Sequence, residues 1–171
     1  MLFRSFHPPT PLGDVLDLGC GTGLIGVVLH DRLAGELCGV DLSGAMLAEA
    51  AAKGVYTRLE RADINGWLAA GTEPYSIVIA ADVFCYFGAL AETLAAIRAR
   101  LRPDGLLLFS VEAMEEGGWA LTGSGRYRHG EVALRAALGS ASFDILALRR
   151  EVLRQEQNAP LVGFLVAARA R

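Results

Sequence analysis

An α/β fold, doubly wound around a mostly parallel sheet with helices on both faces, is predicted by three observations. Short apolar runs alternate with helical patterns from Val15 onward, the order expected when each strand crosses back through a helix to pair in parallel. The runs are brief and mainly apolar, which suits buried strands. The first of them opens into "DVLDLGCGTGLIG", residues 14–26, with four glycines in eight positions where a strand would turn into a helix.

Taken in order, "VLDL" (15–18) is the first strand, and apolar residues at helical spacing follow over 24–33. "ELCGVD" (36–41) is the second strand, with a helix over 43–53; "YTRLE" (56–60) is the third, with a weaker helix near 64–70. "YSIVIAA" (75–81) and "GLLLFSVE" (105–112) complete five parallel strands, separated by a helix over 88–101 and followed by one near 130–139. The tail changes character: "FDILALRREVLRQEQNAPLVGFLVAARAR" reads as two strands joined by the polar turn "EQNAP", an antiparallel hairpin that closes the sheet. No repeat or linker marks a second domain, so residues 1–171 read as one domain with a short N-terminal arm (1–13).

At 171 residues and 53% hydrophobic side chains, the chain can bury a core without disulfides or metal. Its net charge of -3, mixed in sign, lacks the basic face of a nucleic-acid binder. Cys20, Cys38 and Cys85 are odd in number and widely separated, which suits free thiols in a reducing compartment. No apolar run suits a signal peptide or approaches the ~20 residues of a membrane helix. These features predict a soluble, cytoplasmic protein without nucleic-acid or membrane partners.

Gly19, Gly21 and Gly23 stand at the carboxyl end of the first strand, where open α/β sheets bind ligands. A turn without side chains lets a nucleoside-sized ligand lie against the backbone. Gly21, Gly23 and Gly26 also satisfy G-x-G-x-x-G, so a dinucleotide has to be weighed. Asp41 closes the second strand where a carboxylate accepts hydrogen bonds from ribose hydroxyls in either cofactor class. Asp17 discriminates, because a carboxylate just before the glycines would repel a pyrophosphate and attract an α-ammonium group.

Here the sequence resembles the class I S-adenosylmethionine-dependent methyltransferases, through "VLDLGCGTG", "GVDLSGAML", "RADI", "YSIVIAADVFCYF" and "LRPDGLLLFS" in the right order over nearly the whole chain. The resemblance implies a seven-stranded, Rossmann-like sheet whose last two strands are the hairpin, and S-adenosyl-L-methionine as cofactor. It places Asp17, Gly19 and Gly21 against the methionine part of the cofactor and counts Cys20 and Gly23 of the same turn among the cofactor-binding residues. Asp41 would hold the ribose, Leu42 and Met46 would flank the adenine, and Asp63 would receive its amino group with Ile64 packed beside it. Ala81 and Asp82 would border the methyl donor. More loosely, "LLLFSVE" followed by "GSGRYRHG" is similar to methyltransferase domains attached to tetratricopeptide repeats. "ADVFCYF" departs from the Asn/Asp-Pro-Pro-aromatic pattern of enzymes acting on nucleobase amines or glutamine. Family members usually place a helix or longer arm before the first strand, so an incomplete lid is expected, or one supplied by a homodimer partner or another chain.

Each site residue also has a structural alternative. Asp41 could start a helix and Asp63 could cap one; Asp82 could be a cap or a solvated loop residue, or touch the methyl donor or acceptor. Phe84 and Tyr86 could pack in the core, or turn an aromatic face to a sulfonium. Arg126, Tyr127, Arg128 and His129 follow a glycine-rich loop on the same rim, where loops commonly select substrate; His129 would be a base there, or merely open the next helix. Cys85 reads as a buried small hydrophobe. No carboxylate and histidine set stands at metal-ligand spacing. The expected activity is in-line methyl transfer to a small-molecule acceptor, with His129 and Asp82 as catalytic candidates and Tyr86, Arg126 and Tyr127 on the acceptor. The alternatives are a cofactor-binding module without catalysis and a nicotinamide-dependent oxidoreductase.

Overall fold

The structure, a computed structural model, describes residues 11–156 and 158–171. In chain order the elements are β1 (Val15–Leu18), α1 (Leu24–Leu29), β2 (Leu37–Asp41), α2 (Gly44–Ala52), β3 (Arg58–Arg61), α3 (Ile64–Ala70), β4 (Tyr75–Ala80), α4 (Ala91–Ala99), β5 (Leu101–Met114), β6 (Trp119–Leu121), β7 (Tyr127–Gly130), α5 (Glu131–Ser140), β8 (Phe143–Glu156) and β9 (Ala159–Ala170). Short 3-10 turns lie at His30–Arg32 and Phe84–Tyr86. Most of the expected arm, residues 1–10, lies outside the described residues, as does Gln157 in the hairpin turn.

The strands form one sheet in which β3, β2, β1, β4 and β5 are parallel neighbours in that order. β9 then pairs antiparallel with β5, and β8 with β9. The chain winds outward from β1 to β3 and returns to β4 on the other side of β1. That reversal leaves a crevice at the carboxyl ends of β1 and β4. One apolar layer joins Leu16, Leu18, Val78, Phe84, Leu94, Phe109 and their neighbours; a second joins Val15, Leu29, Leu37, Ile77, Ile79 and Leu108. Strand side chains alternate between faces, so β1, β4 and β5 feed both layers and are mostly apolar, with Asp17, Ser110 and Glu112 as buried exceptions.

Among the described residues the expected seven strands are present, and two more accompany them. The stretch expected as a glycine-rich loop folds as β6 and β7, an antiparallel pair. The pairing of β4 with β5 ends at Ala80 and Phe109, whereas β7 pairs in parallel with Glu112–Met114 further along β5. Glu112 meets Gly163 of β9 across its other edge, so β7 continues the edge where β4 has stopped. The overhang of β5 supplies the ladder that orders β7, a long-range cause that three- and four-residue strands do not advertise locally. Its consequence is functional, because Arg126 is carried over the carboxyl end of β4.

Arg100 shows how tightly the far end of the sheet is closed. Only 2% exposed, its guanidinium lies 4.5 Å from the Trp67 ring centroid and donates to the carbonyls of Glu73, Trp67 and Leu68. It thereby bonds the Leu68 carbonyl near the end of α3 and shares the Trp67 carbonyl with the Gly71 N–H. All three cysteines are free and buried. Among the described residues, no helix is long and apolar enough to cross a membrane.

Candidate active site

A cavity of about 1050 Å³ opens at the crevice between β1 and β4. Its walls are the glycine turn from Gly19 to Thr22, the end of β2 at Asp41–Ser43 with Met46, the segment Ala62–Ile64, and the loop after β4 from Ala81 to Val83 with Tyr86 and Phe87. The candidates Gly19, Cys20, Gly21, Asp41, Leu42, Met46, Asp63, Ile64, Ala81, Asp82 and Tyr86 are therefore brought together on one surface.

The glycines of the turn have different tasks. A Cβ on Gly21, whose φ is +54°, would meet only Met46 Sδ at 3.9 Å, on the opposite cavity wall. This position leaves room for a ligand. A Cβ on Gly19 would instead strike Val83 Cγ2 at 2.4 Å, so its missing side chain lets β1 and the β4 loop close together. Gly23 is absent from the wall; it is the left-handed N-cap of α1.

Asp41 is not the helix start that one alternative made it, since Ser43 caps α2 and accepts from the Met46 amide. Its carboxylate ties two backbones together, Oδ2 accepting from Gly21 N–H at 2.9 Å and Oδ1 from Ser43 N–H at 2.8 Å. Each oxygen keeps a lone pair for a ligand. Asp63 is the N-cap of α3 and accepts from Gly66 N–H at 2.8 Å. It also lines the cavity, so here the capping and site readings coincide.

Three candidates are placed differently from expectation. Asp17 is only 1% exposed and lies behind the turn, accepting a hydrogen bond from the Tyr56 hydroxyl at 2.6 Å. Burial pushes its carboxyl up to about 7 against the pull of that bond. His129 belongs to β7, with its ring buried and Nε2 2.9 Å from the Gly88 carbonyl oxygen. Burial lowers its pKa, opposed by backbone carbonyls, and it does not line the cavity. Tyr127 stacks edge-on against Trp119 at 5.5 Å, away from the wall.

Asp82 reaches the cavity in a left-handed conformation, φ 55°, with its amide donating to Ser110 Oγ at 2.9 Å. Its Oδ1 accepts from Arg126 Nη2 at 2.5 Å and from Arg154 Nη1 at 2.9 Å. The same two arginines meet at Glu112 Oε1, at 2.7 and 2.8 Å. Asp82 is thus committed to ion pairs, which suits it to hold the rim rather than to take a proton from an acceptor. Arg126 also lies over the Tyr86 ring, 5.1 Å from its centroid, and that ring is exposed at the rim. Phe84 sits in the core between Phe87 and Phe109, and the buried Cys85 thiol is pushed up to about 12.

Glu112 and Arg154 were missed from the sequence. An acid ending an otherwise apolar buried strand, "LLLFSVE", was a readable signal for a paired charge. Arg154 left none, since the hairpin brings it from 72 residues away to Asp82.

Residues 15–105 match a protein family described as "Methyltransferase domain". The chain belongs to the methyltransferase domain family. Trans-aconitate 2-methyltransferase of Pseudomonas paraeruginosa is 32% identical over 160 residues, covering 90% of this chain and 55% of that protein. Malonyl-[acyl-carrier protein] O-methyltransferase of Anoxybacillus flavithermus is 32% identical over 117 residues, covering 64% of this chain and 42% of that protein. The methyltransferase domain here therefore spans about half the length of these curated relatives. Among solved structures, an S-adenosylmethionine dependent methyltransferase from Mesorhizobium loti superposes with a TM-score of 0.75 at 24% identity, covering 98% of this chain and 95% of that one. The methyltransferase domain thus shares the fold of that solved S-adenosylmethionine dependent methyltransferase.

Proposed function

We propose that this chain binds S-adenosylmethionine in the cavity between β1 and β4 and transfers its methyl group to a small acidic acceptor. The observation that carries the cofactor assignment is the pairing of an open wall at Gly21 with the Asp41 carboxylate, which is fixed by two backbone amides yet retains acceptor capacity. Asp41 accepts from the ribose hydroxyls, Asp63 from the adenine amino group, and Leu42, Met46 and Ile64 cover the base. When bound, the cofactor supplies a methyl group already activated as a sulfonium substituent. The chain's own residues then hold the acceptor in line and exclude water.

The support for an acidic acceptor comes from the relatives, which include proteins named for trans-aconitate and for malonyl-[acyl-carrier protein]; Arg126 and Arg154 beside Asp82 are already balanced by the Asp82 and Glu112 carboxylates. An ionised carboxylate is itself a nucleophile, so no general base is required of His129 or Asp82. A panel of carboxylic acids, trans-aconitate among them, with S-adenosylmethionine should yield S-adenosylhomocysteine and a methyl ester. Binding of S-adenosylhomocysteine without turnover of any acid, while an amine or phenol is methylated, would reject the acidic acceptor. Tight NADH binding without S-adenosylhomocysteine binding would reject the whole reading.

A further inference from the structure

Tyr56 does not line the cavity, yet three glycines are fitted to its ring. A Cβ on Gly26 would stand 2.6 Å from Tyr56 Cε2, one on Gly39 2.8 Å from Cε1, and one on Gly23 3.0 Å from Cε2. The hydroxyl works at both ends of the turn: it donates to Asp17 Oδ2 at 2.6 Å and accepts from Gly26 N–H at 3.2 Å. Gly23, the N-cap of α1, has no side chain with which to satisfy that first-turn amide. Tyr56 therefore does so from 30 residues away.

We propose that Tyr56 is a positioning residue for cofactor binding, whose ring sets the height of the glycine turn and whose hydroxyl holds Asp17 as a carboxylate beneath it. The inference rests on the S-adenosylmethionine reading. Both S-adenosylmethionine and S-adenosylhomocysteine carry an α-ammonium group, so a negative charge behind the turn favours either ligand. Burial opposes that charge and the Tyr56 donor supports it, with the Asp41 carboxylate at the end of β2 adding to the opposition. Cys20, in the turn itself, is pushed up to about 12 by burial and by both carboxylates, with the Cys38 thiol beyond it on β2. It stays a neutral thiol. The Tyr56 hydroxyl is likewise pushed up by burial and by Asp17, and remains a donor. The strand partners of Asp17, Gly39 and Ile79, bring no charge.

The test is calorimetric titration of S-adenosylhomocysteine into the parent and the Tyr56→Phe and Asp17→Asn variants between pH 6 and 8.5. The parent should bind more tightly as pH rises through about 7. Tyr56→Phe should bind about tenfold more weakly at pH 7, with the midpoint of its pH dependence moved upward because the supporting donor is gone. Asp17→Asn should lose that pH dependence. Tyr56→Phe binding within twofold of the parent, with an unmoved midpoint, would overturn the inference. If Tyr56→Phe fails to fold, Asp17→Asn decides instead, and a pH dependence equal to the parent's overturns it. Absence of binding by the folded parent at every pH would overturn the cofactor reading, and the inference with it.

Discussion

The Asp41 carboxylate and the Gly21 amide are 2.9 Å apart, so the residue proposed to hold a ribose also fixes the glycine at which an added Cβ would meet only the far cavity wall. Replacing Asp41 by Ala removes an ionised acceptor from both the ligand and the turn. S-adenosylhomocysteine affinity should fall by about 1.5–3 kcal/mol, roughly tenfold to hundredfold, in calorimetry. An unchanged affinity would mean that Asp41 serves the turn alone.

Gly21→Ala and Gly26→Ala should fail in different ways. At Gly21 the added methyl projects into the cavity at a positive φ, so S-adenosylhomocysteine binding should weaken by tenfold or more while unfolding costs only about 1–2 kcal/mol. At Gly26 it collides with the Tyr56 ring, and overpacking should lower stability by about 1–3 kcal/mol. Urea midpoints and calorimetry on both variants check the contrast, and equal loss of affinity with unchanged midpoints in both would refute it.

Glu112 is buried against Arg126 and Arg154, which keep partial contact with water. Glu112→Gln should destabilise the fold by about 1–3 kcal/mol, less than the full cost of breaking a wholly buried pair. The loss should shrink when Arg126 is already Ala, because one of the stranded cations is then absent. Additive losses in that double-mutant cycle would show that the pair does not interact.

His129 makes a prediction about stability rather than catalysis. Burial holds its folded pKa below the unfolded value of ~6.5. The unfolded chain therefore binds more protons below that pH, so the contribution of His129 is full above ~6.5 and is lost as pH falls toward the folded value. Urea midpoints measured at pH 7.5 and 5 should drop further in the parent than in His129→Gln. The slope from Asp17 is common to both proteins and cancels in the comparison. Equal drops would place the imidazole in water, and a rate limb lost in His129→Gln would restore it as a base.

The sequence by itself determined the parallel core of the sheet and most of the residues that gather at its crevice. Those features are local: an apolar run of four to eight residues has few options but a buried strand, and "DLGCGTG" and "GVDLS" carry their candidate residues within a few positions of strand ends. Asp41, Asp63 and Gly21 were legible because each sits where one element stops and the next begins. Tertiary structure alone decided the charged rim beside that crevice. β7 exists because β5 outruns β4 by several residues, and Arg154 meets Asp82 and Glu112 because a hairpin folds back across the sheet. His129 lies buried away from the cavity for the same reason, since the strand that carries it is ordered by a partner that no local pattern announces. Asp17 turned from the ligand to Tyr56 because burial behind three glycines leaves a carboxylate to find its donor within the protein.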